Sequence, residues 1–123
     1  MIYAEEQEQR AVFDWAAYHF TRWPELMLMH HIPNGGYRTA REAAILRGQG
    51  VRAGVPDICL PVARHGYHGL YIEMKAKKGT VSRIQEDWLK KLNAQGYKAV
   101  VCYGREEAVS TLEEYLTEEQ KDE

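Results

Sequence analysis

The chain has few of the features that mark membrane, secreted or zinc-binding proteins. No run of about 18 apolar residues occurs, which excludes a membrane-spanning helix on sequence grounds. The opening residues, MIYAEEQEQR, are acidic where a secretory leader is basic and then hydrophobic, so no such leader is expected. Only 2 cysteines are present, Cys59 and Cys102. Both fall in apolar segments that read as core strands, so buried thiols in a reducing cytoplasm are expected rather than a disulfide. The histidines and cysteines show no zinc-type spacing. His30 and His31 are adjacent and would point to opposite faces of a strand, so a structural zinc site is not expected. Internal repeats and linkers are also missing, and the 123 residues are read as one domain, 1–123, with an acidic tail at about 117–123.

A global excess of positive charge is lacking too, the formal net charge being −2. The charge is nevertheless segregated. Residues 38–91 carry 11 Lys/Arg against 5 Asp/Glu, while the two ends carry 5 against 13. A basic middle permits phosphate contact over one face, although solvated helix faces produce the same pattern.

What is present centres on Gly54 to Lys75, GVPDICLPVARHGYHGLYIEMK. Ile58–Val62 and Leu70–Met74 read as two strands joined by a Gly-rich turn. Glu73 and Lys75 are two apart, so they share one strand face. A turn centred on His65 sets Asp57 opposite Glu73, and one centred on Gly66 sets it opposite Lys75. Either register brings the three side chains together, roughly 5 Å apart at Cβ. Two carboxylates that close repel unless a cation lies between them, and converging oxygens suit Mg²⁺. A lysine beside them can orient or deprotonate water, so the pattern points to metal-assisted hydrolysis. The bland alternative is a cross-strand ion pair of at most about 1 kcal/mol.

Pro56-Asp57 followed by Glu73-Met74-Lys75 resembles the signature of the PD-(D/E)xK nuclease superfamily. The wider pattern, GVRAGVPDI, GLYIEMK and then SRIQEDWLKKL, is similar to the virus-type replication-repair nuclease (VRR-NUC) domain in its short phage-like form, from about Glu5 to about Leu116. The resemblance implies an α/β fold, a small mixed sheet flanked by helices with a restriction-endonuclease-like core. It also implies that Asp57 and Glu73 bind Mg²⁺ or Mn²⁺ with the backbone carbonyl of Met74. Lys75 would position the attacking water. A glutamate on the first helix would complete the site, Glu5 matching best, with Gln9 one turn on and Glu8 as the fallback. Gln85 matches a glutamine that accompanies the catalytic residues. His31-Ile32-Pro33-Asn34-Gly35-Gly36 resembles an element bordering the active site, which makes Asn34 a candidate substrate contact. A turn role for Asn34 is the alternative.

The remaining segments are read as follows. Ala4–Phe20 is an amphipathic helix with Val12, Trp15, Ala16 and His19/Phe20 inward. Leu26–Ile32 is a short strand. Thr39–Arg47 is a helix capped by Thr39, with Ala43, Ala44 and Ile45/Leu46 inward. Arg38, Arg41, Arg47 and Arg52 surround the start of the Pro-Asp strand. Arg38, Arg41 and Arg52, with Lys77 and Lys78 of the loop after Lys75, are candidate nucleic-acid contacts. Ser82 to about Asn93 is a helix with Ile84, Trp88, Leu89 and Leu92 as its apolar stripe. Tyr97–Tyr103 is a buried strand, parallel to Leu70–Lys75 through the helical crossover. Glu106–Leu116 is the last helix.

The function expected is that of a Mg²⁺- or Mn²⁺-dependent endodeoxyribonuclease without organic cofactor or membrane partner. By the resemblance it would be phage or prophage encoded, cytoplasmic, homodimeric and directed at branched DNA, with a four-way junction favoured. A flap or structure-specific nuclease of phage replication-repair is the rival enzyme, and a non-catalytic DNA-binding module of the same fold is the rival from another class.

Overall fold

The N-terminal helix α1 runs over Tyr3–Tyr18 in the computed structural model, which describes residues 3–34 and 39–118. Arg38, Gly35-Gly36 and residues 119–123 of the tail lie outside the described residues. Val12, Trp15 and Ala16 are buried as their spacing predicts, and they form one stripe toward the core. His19 closes the helix by bonding the Trp15 carbonyl through Nδ1 at 2.7 Å and stacks on the Trp15 ring. Phe20 stays 36% exposed instead of joining the stripe.

Four strands form the sheet, in the order β1-β2-β3-β4: β1 His30–His31, β2 Ile58–Leu60, β3 Leu70–Lys75 and β4 Lys98–Tyr103. β1 and β2 pair antiparallel, as do β2 and β3, whereas β3 and β4 are parallel. The parallel pair is joined by α3, Arg83–Ala94, which makes the α/β crossover. Ile58 faces Ile72 and Leu60 faces Leu70, so the hairpin is centred on His65 and Asp57 falls opposite Glu73. His65 and Gly66 take the positive φ values, 53° and 83°, that the tight turn demands.

Side chains alternate along these strands. Ile58, Leu60, Leu70, Ile72 and Met74 join Cys102 in the core against α1 and α4, Arg105–Leu116. α4 supplies Ala108, Leu112, Tyr115 and Leu116, and the Tyr115 hydroxyl donates to the Val62 carbonyl at 2.6 Å. Asp57, Tyr71, Glu73 and Lys75 take the other face. The architecture is a small mixed sheet with flanking helices. Both thiols are free and buried, and burial raises both above the ordinary cysteine range.

Several expectations fail for local reasons. Leu26–Ile32 is no strand: Pro24 fixes the first turn of a 3-10 helix over Pro24–Leu28, and extended pairing is left to His30–His31 alone. β2 stops at Leu60, where Val62 N turns back across Pro61 to the Leu60 carbonyl at 2.8 Å. The helix α2, Ala40–Gly48, forms with its Thr39 cap, the hydroxyl accepting from Glu42 N at 3.1 Å. It buries none of its residues, and Ile45 is 50% exposed. α3 likewise buries no residue fully, and Ile84 is 55% exposed. β4 is an edge strand in which only Ala99 and Cys102 are buried. An amphipathic pattern reveals which face is apolar but not whether the same chain covers it.

Candidate active site

Asp57 is held from three sides. Its backbone carbonyl accepts from Ile32 N at 2.7 Å and from the His31 ring Nδ1 at 2.8 Å. Its carboxylate Oδ2 accepts from Met74 N at 2.9 Å, across the end of the hairpin ladder. The loop leading into β2 is fixed by α3, where the Trp88 indole donates to the Ala53 carbonyl at 2.9 Å. Gly54 lies against α3 with φ +89°, and a β-carbon there would come within 2.2 Å of Ile84 Cγ2. Only glycine fits that close approach.

Glu73 stands opposite Asp57 and is 2% exposed. Burial raises its carboxyl group to about 9, helped by the side-chain hydrogen bond and the charge of Asp57 and, least, by Glu5. The Lys75 ammonium works in the opposite direction. With no cation near, burial and the facing Asp57 both favour the protonated form of Glu73. Lys75 is also buried, yet among the described residues the one ion pair within 4.0 Å is Arg64–Glu25. The Lys75 charge is spent on the local field rather than on a contact.

These residues border a cavity of about 630 Å³. Asp57 and Glu73 lie on it with His31 and Asn34, and Gln85 joins from α3. α1 contributes Glu5, Gln9, Arg10 and Phe13. Lys75 does not line the cavity itself. Its stem lies beside Gly79, and the Glu5 carboxylate lies beside the same glycine. Glu8, the alternative to Glu5, is engaged elsewhere: its Oε2 accepts from Arg105 N at 2.8 Å and caps α4, whose Gly104 has no side chain to do so. Asn34 donates to the Val55 carbonyl, which holds the His31–Asn34 segment against the Pro-Asp loop. Gln85 forms a reciprocal capping box with Ser82, its Oε1 accepting from Ser82 N at 2.9 Å. Its amide NH₂ remains the group available to the cavity.

The donor set is composed of oxygens. Asp57, Glu73 and Glu5 bring carboxylates, and Gln9 Oε1 is buried without a hydrogen-bond partner among the described residues. The Met74 carbonyl is a candidate fifth donor, although Met74 does not line the cavity. Met74 N points toward β2, and a strand residue's N–H and C=O share an edge, so its carbonyl does the same. The residue opposite is Pro56, which has no N–H to give it. Oxygen donors of this kind suit a hard divalent cation. Among the described residues no three His, Cys, Asp or Glu side chains converge closely enough to form a ready-made cation cage.

The basic candidates lie apart from this cavity. Arg41, Arg52, Lys77 and Lys78 are exposed and none lines it. Arg52 Nη1 donates to the Arg47 carbonyl at 3.3 Å, and Lys77 borders a different groove with Glu8 and Arg105. Arg38 lies outside the described residues. Sequence reasoning did not single out Glu6, Arg10, Phe13 or Asp14, which face the cavity, and it took His31 only as part of a segment bordering the site. Helical spacing could have found Arg10, which follows Gln9 and lies four residues beyond Glu6. No periodicity selects between His30 and His31, because only pairing with β2 decides which ring reaches Asp57.

This sheet, with an acid pair and a lysine at the end of its central hairpin, defines a nuclease-like α/β site. The model of the VRR-NUC domain family matches residues 3–106, so the chain belongs to that family. A solved structure described as a VRR_NUC domain protein superposes with a TM-score of 0.80 and 31% identity, covering 94% of this chain and 90% of its own. No curated protein matches the chain. Family membership indicates a nuclease of the PD-(D/E)xK type acting on DNA, a class that typically uses divalent metals. Among the described residues no helix is long and apolar enough to cross a membrane.

Proposed function

We propose that the protein is a Mg²⁺- or Mn²⁺-dependent endodeoxyribonuclease that cuts branched DNA, a four-way junction above all, as a homodimer. The observation that carries the chemistry is the buried Asp57–Glu73 pair, fixed by Met74 N and opening onto a cavity. Asp57, Glu73 and the Met74 carbonyl hold the cation, and Glu5 reaches it directly or through water. When bound, the cation supplies Lewis acidity at the phosphate and acidifies a water molecule. Lys75 orients that water and stabilises charge on the phosphate. The water oxygen forms a bond to phosphorus and the P–O3′ bond breaks, leaving a 5′-phosphate and a 3′-hydroxyl that takes up a proton. Gln85 and Asn34 border the path of the substrate. Arg41, Arg52, Lys77 and Lys78 contact more distant phosphates, and Arg38, outside the described residues, is a further candidate contact.

Dimerisation is supported by the apolar faces that α2 and α3 leave open, including Ile45 and Ile84. A two-fold dimer presents two sites to a symmetric junction. The test is cleavage of a labelled four-way junction beside flap and linear duplexes, with Mg²⁺, Mn²⁺ or chelator, for wild type and Lys75→Ala. Paired symmetric nicks that require metal and Lys75 support the proposal. Preferential flap cutting removes the junction assignment, and metal-dependent cutting of no substrate leaves a DNA-binding module. Light scattering that finds only 14.2 kDa species removes the dimer.

A further inference from the structure

The cavity that would receive DNA is acidic. Among the described residues its lining includes the carboxylates of Glu5, Glu6, Asp14 and Asp57 and the carboxyl group of Glu73, against a single arginine and no lysine. A phosphodiester approaching such a surface is repelled unless a fixed cation draws it in. Arg10 is the one fixed cation on that lining among the described residues. Glu6 and Asp14 stand one helical turn before and after it, positions that commonly pair with arginine. Neither lies within 4.0 Å of it, the one ion pair among the described residues being Arg64–Glu25. The guanidinium is exposed, and among the described residues it has no hydrogen-bond partner.

The position of Arg10 along α1 is as informative as its charge. With a rise of about 1.5 Å per residue, Arg10 lies roughly 7 to 8 Å along the helix axis from Glu5. That is on the scale of the spacing between successive phosphates in an extended strand. Phe13, half-buried against the core, continues the same wall one turn beyond Gln9. The wall therefore runs from the acids Glu5 and Glu6 through Arg10 to Phe13 and ends on Asp14.

We propose that Arg10 binds the phosphate next to the scissile one, so that the cleaved strand lies along α1 with Phe13 beside it. This rests on the nuclease reading above and adds the substrate's direction and a specific grip. The planar guanidinium fork matches two phosphate oxygens, which a lysine at the same position would meet as a point charge. Arg10 is a substrate-binding residue. It takes no part in bond making.

The test uses the full chain with Arg10→Gln and Arg10→Lys. Binding of a fluorescent branched DNA is titrated in chelator at several salt concentrations, and cleavage kinetics are run separately in Mg²⁺. Loss of one phosphate contact lowers the slope of log affinity against log salt by about 0.9 and weakens binding by about five- to tenfold for Arg10→Gln. In cleavage KM rises by a similar factor while kcat changes by less than about threefold. Arg10→Lys recovers the salt slope and part of the affinity. An Arg10→Gln protein with wild-type salt slope, affinity and KM overturns the proposal. A wild type that binds but never cuts sinks the nuclease reading, while the salt slope still decides on Arg10. A wild type that binds no DNA sinks both.

Discussion

Replacing Glu73 by Gln should make the metal-free protein more stable at neutral pH, although it removes a proposed metal ligand. The folded-state pKa of Glu73 is raised to about 9 from 4.5, mainly by burial. A carboxyl group shifted upward contributes stability that is complete below its unfolded pKa. That contribution falls as pH rises between about 4.5 and about 9, because the unfolded chain releases the proton first. One proton changes stability by about 1.4 kcal/mol per pH unit, so the loss between pH 5 and pH 7 is about 2 to 3 kcal/mol. Gln keeps the shape and can still bond Asp57, but it has no proton to lose. Urea unfolding in chelator, at pH 5, 6, 7 and 8, should show a wild-type stability that declines relative to Glu73→Gln by that amount. Mg²⁺ should reverse the order, stabilising wild type increasingly with pH and the variant little, since the cation takes the proton's place. A difference between the two proteins that stays flat from pH 5 to pH 8 would refute the argument.

Glu5 and Glu8 should separate cleanly. Glu5→Gln should lower metal-dependent cleavage by about tenfold or more while thermal stability is kept. Glu8→Ala should cost about 1 kcal/mol by uncapping α4 at Arg105, read as a lower melting temperature, with cleavage retained. Gly54→Ala should destabilise by about 2 to 3 kcal/mol in denaturant titration, since it adds a β-carbon 2.2 Å from Ile84 Cγ2 at φ +89°. A Gly54→Ala protein as stable as wild type would show that α3 does not clamp the Pro-Asp loop.

The parts legible in the sequence were those fixed by short-range rules. Alternation placed Glu73 and Lys75 on one face, and the hairpin count left two registers, of which the His65-centred one is observed. The helix between Lys75 and Lys98 implied the parallel β3/β4 pair that is observed. What was hidden depends on tertiary placement. Glu5 and Glu8 are equivalent acids in the first turns of one helix, and only the position of α4 shows that Glu8 is already bonded to Arg105. The inward faces expected for α2 and α3 are partly open because too little of the described chain covers them. Arg10 escaped because its role comes from what surrounds the cavity, and His31 was legible only as part of a bordering segment, since pairing with β2 decides which histidine reaches Asp57.

Pro56 explains why the acid pair stands where the ladder ends. Even-numbered residues of β3 turn their backbone toward β2, as Met74 N shows by bonding Asp57 Oδ2. Odd-numbered ones turn toward β4, where the Lys75 carbonyl accepts from Gly104 N and the Gly69 carbonyl from Lys98 N. Continuing the ladder past Ile58↔Ile72 would set residue 56 against Met74. A proline there gives no N–H, so the Met74 carbonyl is left for another partner, while Asp57 captures the Met74 N–H with its side chain. Pro56→Ala restores the missing donor. Pro56 is buried, so the truncation should cost about 1 to 2 kcal/mol. Its separate signature is metal affinity, because the new N–H competes for the carbonyl. Calorimetric titration with Mn²⁺ should find binding weakened about tenfold, with Asp57 and Glu73 both intact. Unchanged affinity in a folded Pro56→Ala protein would show that the carbonyl is no ligand, and the cation would then rest on the carboxylates and Gln9 alone.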